Sequence, residues 1–356
     1  MKKKIMNETF MFTILAIVMG LLVGAIVILI SGYNPIEAYG LMMKGIFSKS
    51  KYIARTIIRA TPLILTGLSV AFAFRTGLFN IGAEGQFIIG ALTAALLGYF
   101  IHLPMIFHIP IVFVGAILMA SIWGGVAGYL KAKFGVHEVI ATIMLNWIAL
   151  YTSNYIVSLE KVKMPATESS YNILETARIS IDWFKGIIGA STKVNFGIVI
   201  AVLAAFVIYY ILFQTTLGYE LRAVGYNKDA AEYGGIHIKR NTILSMSIAG
   251  ALAGAAGAVH VMGVSYHVST LAAMEGYGFN GIAVSLIGNN SPFGVVLSSF
   301  LFGGITYGGS NMQLLGIPTE VINIVIGSIV FFVATYRIFQ FVTIFFNHKK
   351  PQKEDE

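Results

Sequence analysis

The chain has 356 residues, of which 57% are apolar and 11% are charged. Soluble domains carry about 25% charged residues, so this composition excludes a soluble protein and indicates an integral membrane protein. The sequence contains no cysteine, which excludes disulfides, thiol nucleophiles, iron–sulfur clusters and zinc–thiolate sites. The formal net charge of +8 is explained by lysine and arginine retained on the cytoplasmic side of a membrane. No nucleic-acid partner is expected.

The first apolar run covers residues 10–30 and follows three lysines near the amino terminus. The hydrophobic part of a secretory signal is only about 7–15 residues long, so this run predicts an uncleaved first span that starts in the cytoplasm. Five basic residues follow within 44–59, on what would then be the outer side. We interpret residues 35–58 as an amphipathic helix on the outer interface of the membrane; a misplaced span is the alternative explanation.

Nine further apolar runs predict transmembrane helices, because a helix needs about 20 apolar residues to cross the hydrocarbon core. They cover residues 60–74, 87–101, 109–130, 139–157, 196–213, 242–262, 279–288, 293–307 and 320–339. Ten runs place both termini on one side, and the lysines of the head and of the tail agree with a cytoplasmic location for both. We therefore predict an all-α integral membrane protein of about ten transmembrane helices, with both termini inside. Its parts would be a single transmembrane domain at 1–346, an extracytoplasmic loop at 159–195 and a charged cytoplasmic tail at 347–356.

One predicted span is short and another is interrupted. The run at 279–288 would form about 15 Å of helix, half of the hydrocarbon thickness of about 30 Å. Residues 75–86 separate two apolar runs with glycines and strongly polar side chains. They would form either an ordinary cytoplasmic turn or a broken helix that enters the bundle and lines a cavity. We favour the broken helix, because a turn does not require the polar groups of Asn80, Glu84 and Gln86, and helical spacing would place Asn80 and Glu84 on one face.

Polar side chains inside an apolar bundle are costly, about 2.5–3.5 kcal/mol for a charged group, and indicate a functional site. The candidates for a substrate pathway are Asn80, Glu84, Gln86, Asn146 and Asn280. The alternative for each of them is a structural hydrogen bond between helices.

No energy-converting or catalytic motif occurs in the chain. The sequence has no G-x-x-x-x-G-K-[ST] phosphate loop, no His-x-x-x-His metal spacing and no nucleophile elbow. We therefore expect neither an enzyme nor a cofactor nor a metal site. Active transport would need a motor supplied by another protein.

The polar stretch at 215–241 differs from an ordinary loop between spans. It predicts a short helix with a flat alanine face, ended by two glycines. Small side chains would let this helix seat in the groove of a partner, while Arg222, Lys228 and Glu232 fix its register. The alternative is a solvated loop that is charged because it faces water.

Several strings in the sequence resemble one family. The pattern Asp229-Ala230-Ala231-x-x-x-Gly235 resembles the E-A-A-x-x-x-G coupling loop of importer permeases of the ATP-binding-cassette (ABC) class, with Asp in place of the usual Glu. Longer strings resemble the permeases for branched-chain amino acids, simple sugars and nucleosides, and most closely the bacterial nucleoside branch. These strings are ATPLILTGL at 60–68, FNIGAEGQ at 79–86, LRAVG at 221–225 and GFNGIAV at 278–284.

The resemblance implies a permease subunit of an ABC importer in the bacterial cytoplasmic membrane, with nucleosides as the expected cargo. Besides membrane lipids it implies three partners: an ATP-binding subunit, a second permease subunit of the same or another kind, and an extracytoplasmic substrate-binding lipoprotein. It assigns coupling with the ATPase to residues 218–236. The coupling residues would be Arg222, Gly225, Asp229, Ala230, Ala231 and Gly235.

Three alternatives stay open at this point. They are a simple-sugar ABC importer permease, an ion-coupled secondary transporter in which Glu84 or Glu138 would carry a proton or sodium ion, and a membrane scaffold that moves no solute. Uptake driven by an ion gradient without an ATPase would favour the secondary transporter. The residues do not fix the cargo, because in the resembled class the delivery protein sets much of the selectivity.

Overall fold

The structure, a computed structural model, describes residues 2–181 and 193–335. Within these ranges the regular elements are helices, and strand-like pairing is limited to isolated bridges. The α-helices are α1 (Lys2–Ile30), α2 (Pro35–Phe47), α3 (Ser50–Arg75), α4 (Ala83–Phe100), α5 (Met105–Phe134), α6 (Glu138–Ser158), α7 (Gly197–Gln214), α8 (Thr216–Tyr226), α9 (Lys228–Tyr233), α10 (Ile238–His260), α11 (Tyr277–Ile287), α12 (Pro292–Ser310) and α13 (Thr319–Ala334). The prediction of an all-α protein is confirmed.

Seven helices in the described part of the chain are long and apolar enough to cross a membrane. They are α3 to α7, α10 with the π-helical turn that follows it, and α12 with the 3₁₀ turn that follows it. Shorter apolar helices cover Ile14–Ile30, Tyr277–Ile287 and Thr319–Phe332. All ten apolar runs overlap these helices, so the protein is a multi-pass membrane protein. The number of crossings and the side of each loop stay predictions.

The described residues form two compact units. One is Lys49–Gly304, and the other combines residues 2–48 with residues 305–335. In the second unit α1 packs along α13, and a Cβ on Gly24 would lie only 2.9 Å from Val325 Cγ1. Every candidate functional residue belongs to the unit Lys49–Gly304. Part of the predicted outer loop, 182–192, and the whole of the predicted tail lie outside the described residues.

Helix α10 packs closely against both α4 and α5. A Cβ on Gly257 would lie 2.6 Å from the backbone nitrogen of Ala91 on α4, and a Cβ on Gly250 would lie 3.2 Å from Gly124 Cα on α5. Small residues at four-residue spacing permit such close approach between membrane helices. Helix α10 therefore meets both α4 and α5 backbone against backbone, and we call the three helices the α4–α5–α10 core.

The helix predicted at 35–58 is divided in two. Helix α2 ends at Phe47, and α3 begins at Ser50 and continues into the next apolar run. Lys49 between them is extended, with φ −142° and ψ 145°. Ser48 and Ser50 flank Lys49, and serine is a weaker helix former than alanine or leucine.

Candidate functional site

The interruption predicted between the second and third apolar runs is present. Helix α3 ends at Arg75, Gly77 has a left-handed backbone with φ +72°, and α4 does not begin until Ala83. A left-handed backbone favours glycine, which has no Cβ to clash. Asn80 therefore precedes α4. The prediction that Asn80 and Glu84 share one helical face is wrong, because the residues between them are not all helical.

Asn80 and Gln86 form a buried amide pair. Asn80 Nδ2 donates to Gln86 Oε1 at 2.9 Å, and Gln86 Nε2 donates to Asn80 Oδ1 at 3.3 Å. Asn80 Nδ2 also lies 3.3 Å from Ser69 Oγ of α3. Both amide side chains are at most 2% exposed. Since a buried polar group without a partner costs about 1–3 kcal/mol, the pair fixes the non-helical segment between α3 and α4.

Glu84 holds the start of α11. Its Oε1 accepts from the backbone nitrogen of Gly276 at 2.7 Å, and its Oε2 accepts from that of Gly278 at 2.6 Å. The first N–H groups of a helix have no partner inside the helix, and the helix dipole favours a carboxylate there. Glu84 is 0% exposed, and a Cβ on Gly278 would overlap the backbone of Glu84. We call this arrangement the Glu84 clamp, because it fastens α11 to α4.

Asn146 on α6 completes the polar group at the start of α4. Its Oδ1 accepts from the backbone nitrogen of Gly85 at 2.8 Å, and its Nδ2 donates to the carbonyl oxygen of Ile81 at 3.0 Å. Asn280 on α11 does not join this network, since its side chain makes no hydrogen bond to any residue that the structure describes. Four of the five pathway candidates are thus brought together. Contact between any of the five and a transported molecule stays a prediction.

The stretch predicted for coupling forms two short helices, α8 and α9, that meet at Asn227. Asn227 caps α9, because its Oδ1 accepts from the backbone nitrogen of Ala230 at 3.0 Å. Ala230 is exposed, whereas Ala231 is buried with 5% exposure. Consecutive residues of a helix with 3.6 residues per turn point in different directions. The predicted flat alanine face is therefore reduced to Ala230.

The exposed side of α8 and α9 carries tyrosines as well as the predicted coupling residues. Tyr226 is 84% exposed and Tyr233 is 97% exposed. Gly235, just after α9, has φ +80°, and a Cβ there would meet nothing within 4 Å. We call this side the α8–α9 surface; it consists of Tyr219, Tyr226, Asp229, Ala230, Tyr233 and Gly235.

The turn that follows α3 links α8 to the turn between α11 and α12. Gly225 packs on it so closely that a Cβ would lie 2.7 Å from the carbonyl oxygen of Arg75 and 2.9 Å from the backbone nitrogen of Gly77. Arg75 Nε donates to the carbonyl oxygen of Asn290 at 2.9 Å, and its Nη2 donates to that of Asn289 at 3.3 Å. We call residues 75–77 the Arg75 turn.

Two side chains tie the Arg75 turn to further helices. The guanidinium carbons of Arg75 and Arg222 lie 6.0 Å and 5.1 Å from the ring centre of Phe213 on α7, within the range of cation–π attraction. The Thr76 hydroxyl shares a hydrogen bond with the hydroxyl of Ser245, which lies on α10.

The sequence alone shows Arg75 only as a charged residue at the end of an apolar run. Its carbonyl partners lie more than two hundred positions away, and the only local signal is a cation beside a glycine-containing break.

The polar network at the start of α4 is enclosed by apolar helices, and the Arg75 turn contacts both the exposed helix pair α8–α9 and the end of α11. Residues 52–334 match the family described as the permease component of the branched-chain amino acid transport system. The chain belongs to this family.

Three of the relatives are permease proteins of ABC transporters. The chain is 42% identical over 330 residues to the guanosine ABC transporter permease protein NupP of Bacillus subtilis. The aligned residues cover 92% of this chain and 94% of that protein. It is 38% identical over 326 residues to the nucleoside ABC transporter permease protein NupB of Lactococcus lactis subsp. cremoris, with 90% and 89% covered. It is 29% identical over 338 residues to the glucose ABC transporter permease protein TsgB13 of Haloferax volcanii, with 92% and 87% covered. No solved structure matches the chain. The family predicted from the sequence is confirmed.

Proposed function

We propose that this chain is the permease subunit of an ABC importer that carries nucleosides across the bacterial cytoplasmic membrane. The observation that carries the proposal is the 42% identity to a guanosine permease over 92% of the chain. The chain forms the path, and a separate ATP-binding subunit hydrolyses ATP. A second permease subunit and an extracytoplasmic substrate-binding lipoprotein complete the importer. Residues 1–346 act as one permease domain, with 218–236 in the cytoplasm and 159–195 on the outer side.

The ATP-binding subunit docks on the α8–α9 surface. Exposed tyrosines suit this role, because tyrosine is enriched at protein interfaces relative to the rest of the surface. Gly235 adds a place where a partner can approach the backbone without meeting a side chain. Asp229 offers a charge that fixes the register of docking. Arg222 lies behind this surface, where its Nε donates to the carbonyl oxygen of Gly218 at 3.2 Å, and it supports α8 from inside.

Docking is transmitted to the path through the Arg75 turn. Gly225 of α8 contacts this turn with backbone atoms, and close-packed atoms transmit a displacement because they cannot be compressed. Arg75 passes the movement to Asn289 and Asn290, at the end of α11. The Glu84 clamp then couples α11 to α4. ATP shifts the equilibrium between two forms of the permease only if the ATP-binding subunit binds one form more tightly than the other.

The polar group at the start of α4 frames the path. Asn80, Gln86 and Asn146 hold the non-helical segment beside α4, and Glu84 holds α11. Asn280 is the pathway candidate whose side chain is left available for cargo by the other described residues. The frame keeps an irregular backbone satisfied at membrane depth, which is tolerated only next to protein or water.

The two alternative transporters receive different support. A simple-sugar importer is favoured by the 29% identity to a glucose permease, a weaker likeness than that to the nucleoside permeases. An ion-coupled transporter needs a carboxylate that can release and rebind an ion. Glu84 already accepts two backbone N–H groups, and Glu138 is paired with Lys131. Both carboxylates are thus engaged in structural contacts.

Replacing Gly235 by arginine tests the proposed docking. Gly235→Arg places a long side chain on the α8–α9 surface, and we expect it to abolish both co-purification of the ATP-binding subunit and nucleoside uptake. The matched control is Gly135→Arg, because Gly135 also has a left-handed backbone, φ +71° against +80°, and open space around a Cβ. The control variant should still co-purify with the ATP-binding subunit and should still import nucleosides.

Co-purification of the ATP-binding subunit with Gly235→Arg at the wild-type level would contradict the docking role.

Uptake by the purified wild-type transporter in proteoliposomes tests the cargo and the energy source. ATP-dependent uptake of adenosine or guanosine is expected. Uptake of glucose but of no nucleoside would favour the sugar importer, and uptake driven by an ion gradient without ATP would favour the secondary transporter.

A further inference from the structure

An open crevice of about 310 Å³ runs along one side of the first half of α3. Its opposite wall is formed by the start of α7 and by the residues just before it, and its lining is almost entirely apolar. Folded proteins contain few voids larger than a water molecule, so a crevice of this size calls for an occupant. We call it the α3–α7 crevice; the residues that the argument uses are Ala54, Ile57, Ile58, Thr61, Phe196 and Val199.

The α3–α7 crevice opens toward the surface of the helix bundle. Phe196 and Val199 in its wall are exposed, and so is Ile53, which directly precedes Ala54 on α3. Exposed apolar side chains on a membrane helix face lipid or another protein. The hydrocarbon chains of lipids are as apolar as leucine, so a lipid chain enters this crevice without burying a polar group.

The crevice lies just inside one boundary of the hydrocarbon layer. Helix α3 ends at Arg75, and a helix rises 1.5 Å per residue, so Arg55 lies about 30 Å from Arg75 along the axis. This length equals the hydrocarbon thickness of about 30 Å, so Arg75 and Arg55 mark opposite boundaries of the layer. Ala54 to Thr61 then cover roughly the 10 Å of hydrocarbon beside the Arg55 boundary.

Two basic side chains stand at the headgroup end of the crevice. Lys51 precedes Ala54 by three residues and Ile58 by seven, a spacing that puts all three on one side of α3. The Lys51 ammonium lies 5.2 Å from the ring centre of Tyr52 and makes no hydrogen bond to a residue that the structure describes. Arg55 adds a second cation at the same boundary. A phosphate group at this level would complement both charges.

The position of these charges is unusual for a membrane protein. Lysine and arginine are normally retained on the cytoplasmic side, yet Lys51 and Arg55 belong to the basic cluster at 44–59 on the predicted outer side. An anionic partner on that side gives two of these residues a role. A lipid headgroup supplies the anion at the depth where its own chain reaches the crevice.

We propose that the α3–α7 crevice binds an acyl chain of an anionic phospholipid, whose phosphate pairs with Lys51 and Arg55. A water molecule occupies about 30 Å³ in the liquid and a methylene group is of similar size, so the crevice has room for about ten methylene groups. Phosphatidylcholine fits less well, because its choline brings a third cation to the two basic side chains. The site does not depend on the cargo, so it stands or falls separately from the proposed function.

Photolabelling of the complete wild-type transporter in nanodiscs tests the site without any variant. The probe is phosphatidylglycerol with a diazirine in one acyl chain, and the labelled peptides of the permease are mapped. Label is expected within residues 54–61 and 194–199. It should be at least about fivefold stronger than the label from phosphatidylcholine that carries the same chain. Equal labelling of these residues by the two lipids, or label confined to other residues, overturns the proposal.

Two pairs of variants separate the contribution of charge from that of shape. Lys51→Gln should lower the phosphatidylglycerol label about fivefold, because it removes one cation. Lys161→Gln is its control, because it loses the same charge at an exposed position outside the crevice. Ala54→Phe fills the crevice and should remove the label, whereas Ile53→Phe, at an exposed neighbour that does not line the crevice, should keep it. Equal label within either pair contradicts the assignment.

The second permease subunit is the rival occupant of the crevice. Replacing Val199 by the photoreactive residue benzoylphenylalanine places a cross-linker in the wall. Adducts with phospholipid in the assembled transporter support the proposal. Cross-linking of this position to the second permease subunit overturns it, because a protein then covers the crevice.

Discussion

Replacing Glu84 by glutamine tests whether the Glu84 clamp holds α11 in place. Both carboxyl oxygens of Glu84 accept backbone N–H groups, at 2.7 Å and 2.6 Å. A glutamine side chain offers one acceptor oxygen and turns an NH₂ group toward the other N–H, so one bond is lost. A hydrogen bond to a charged group contributes about 1.5–3 kcal/mol. Glu84→Gln should therefore lower the free energy of unfolding by about that amount, and Glu84→Ala by about twice as much.

Thermal unfolding in lipid nanodiscs, followed by tryptophan fluorescence, measures this loss. At an unfolding entropy of about 2.1 cal/mol/K per residue, about 1 kcal/mol shifts the melting temperature of a chain of 356 residues by roughly 1.3 °C. Glu84→Gln should thus melt about 2–4 °C below the wild type. Glu160→Gln is the control, because Glu160 is exposed and makes no hydrogen bond to the described residues; its melting temperature should match that of the wild type.

The same variants separate a structural role of Glu84 from a direct role in transport. If Glu84→Gln has the same melting temperature as the Glu160→Gln control and still loses uptake, the clamp is refuted. Glu84 then acts on the cargo or on an ion instead. If it melts early and the surviving folded protein transports with reduced rate, the clamp is supported. Uptake is therefore measured at a temperature well below the lower of the two melting points.

Two further predictions concern the contact of Gly225 with the Arg75 turn and the amide pair of Asn80 and Gln86. Gly225→Ala should uncouple ATP hydrolysis from uptake, because its Cβ would lie 2.7 Å from the carbonyl oxygen of Arg75 and would force α8 away from the Arg75 turn. Gly234→Ala is the control, since its nearest neighbour would be 3.4 Å away; equal ratios of ATP hydrolysed to nucleoside imported in the two variants would count against transmission through this contact. Asn80→Ala and Gln86→Ala should each reduce uptake while the transporter still assembles, because each leaves the other amide without its partner at a cost of about 1–3 kcal/mol. Unchanged initial rates of uptake in both variants would remove the amide pair from the path.

Much of the fold follows from local patterns in the sequence. The apolar runs predict helices because a span of hydrocarbon requires a minimum length of apolar helix, and all ten runs overlap helices. The short run at 279–288 corresponds to α11, Tyr277–Ile287, which is too short to cross alone. The helix predicted at 35–58 is divided at Lys49, whose backbone is extended, and the hydrophobic pattern does not register this break.

The candidate site is predicted less well, because its geometry depends on distant parts of the chain. Polarity within an apolar bundle singles out Glu84, but its partners Gly276 and Gly278 lie 192 and 194 positions away. No periodicity connects such positions. The role of Arg75 escapes notice for the same reason. Long-range pairing, rather than local helical structure, decides which side chains meet.

The contact between α10, α4 and α5 limits how the permease can change shape. Where backbones touch without intervening side chains, there are no rotamers to absorb a sliding movement, and a small shift of one helix would bring peptide groups into collision. The α4–α5–α10 core must then travel as one rigid body. Opening toward either face of the bilayer would be confined to its periphery, where α11 and the Arg75 turn are attached by hydrogen bonds that can break and re-form.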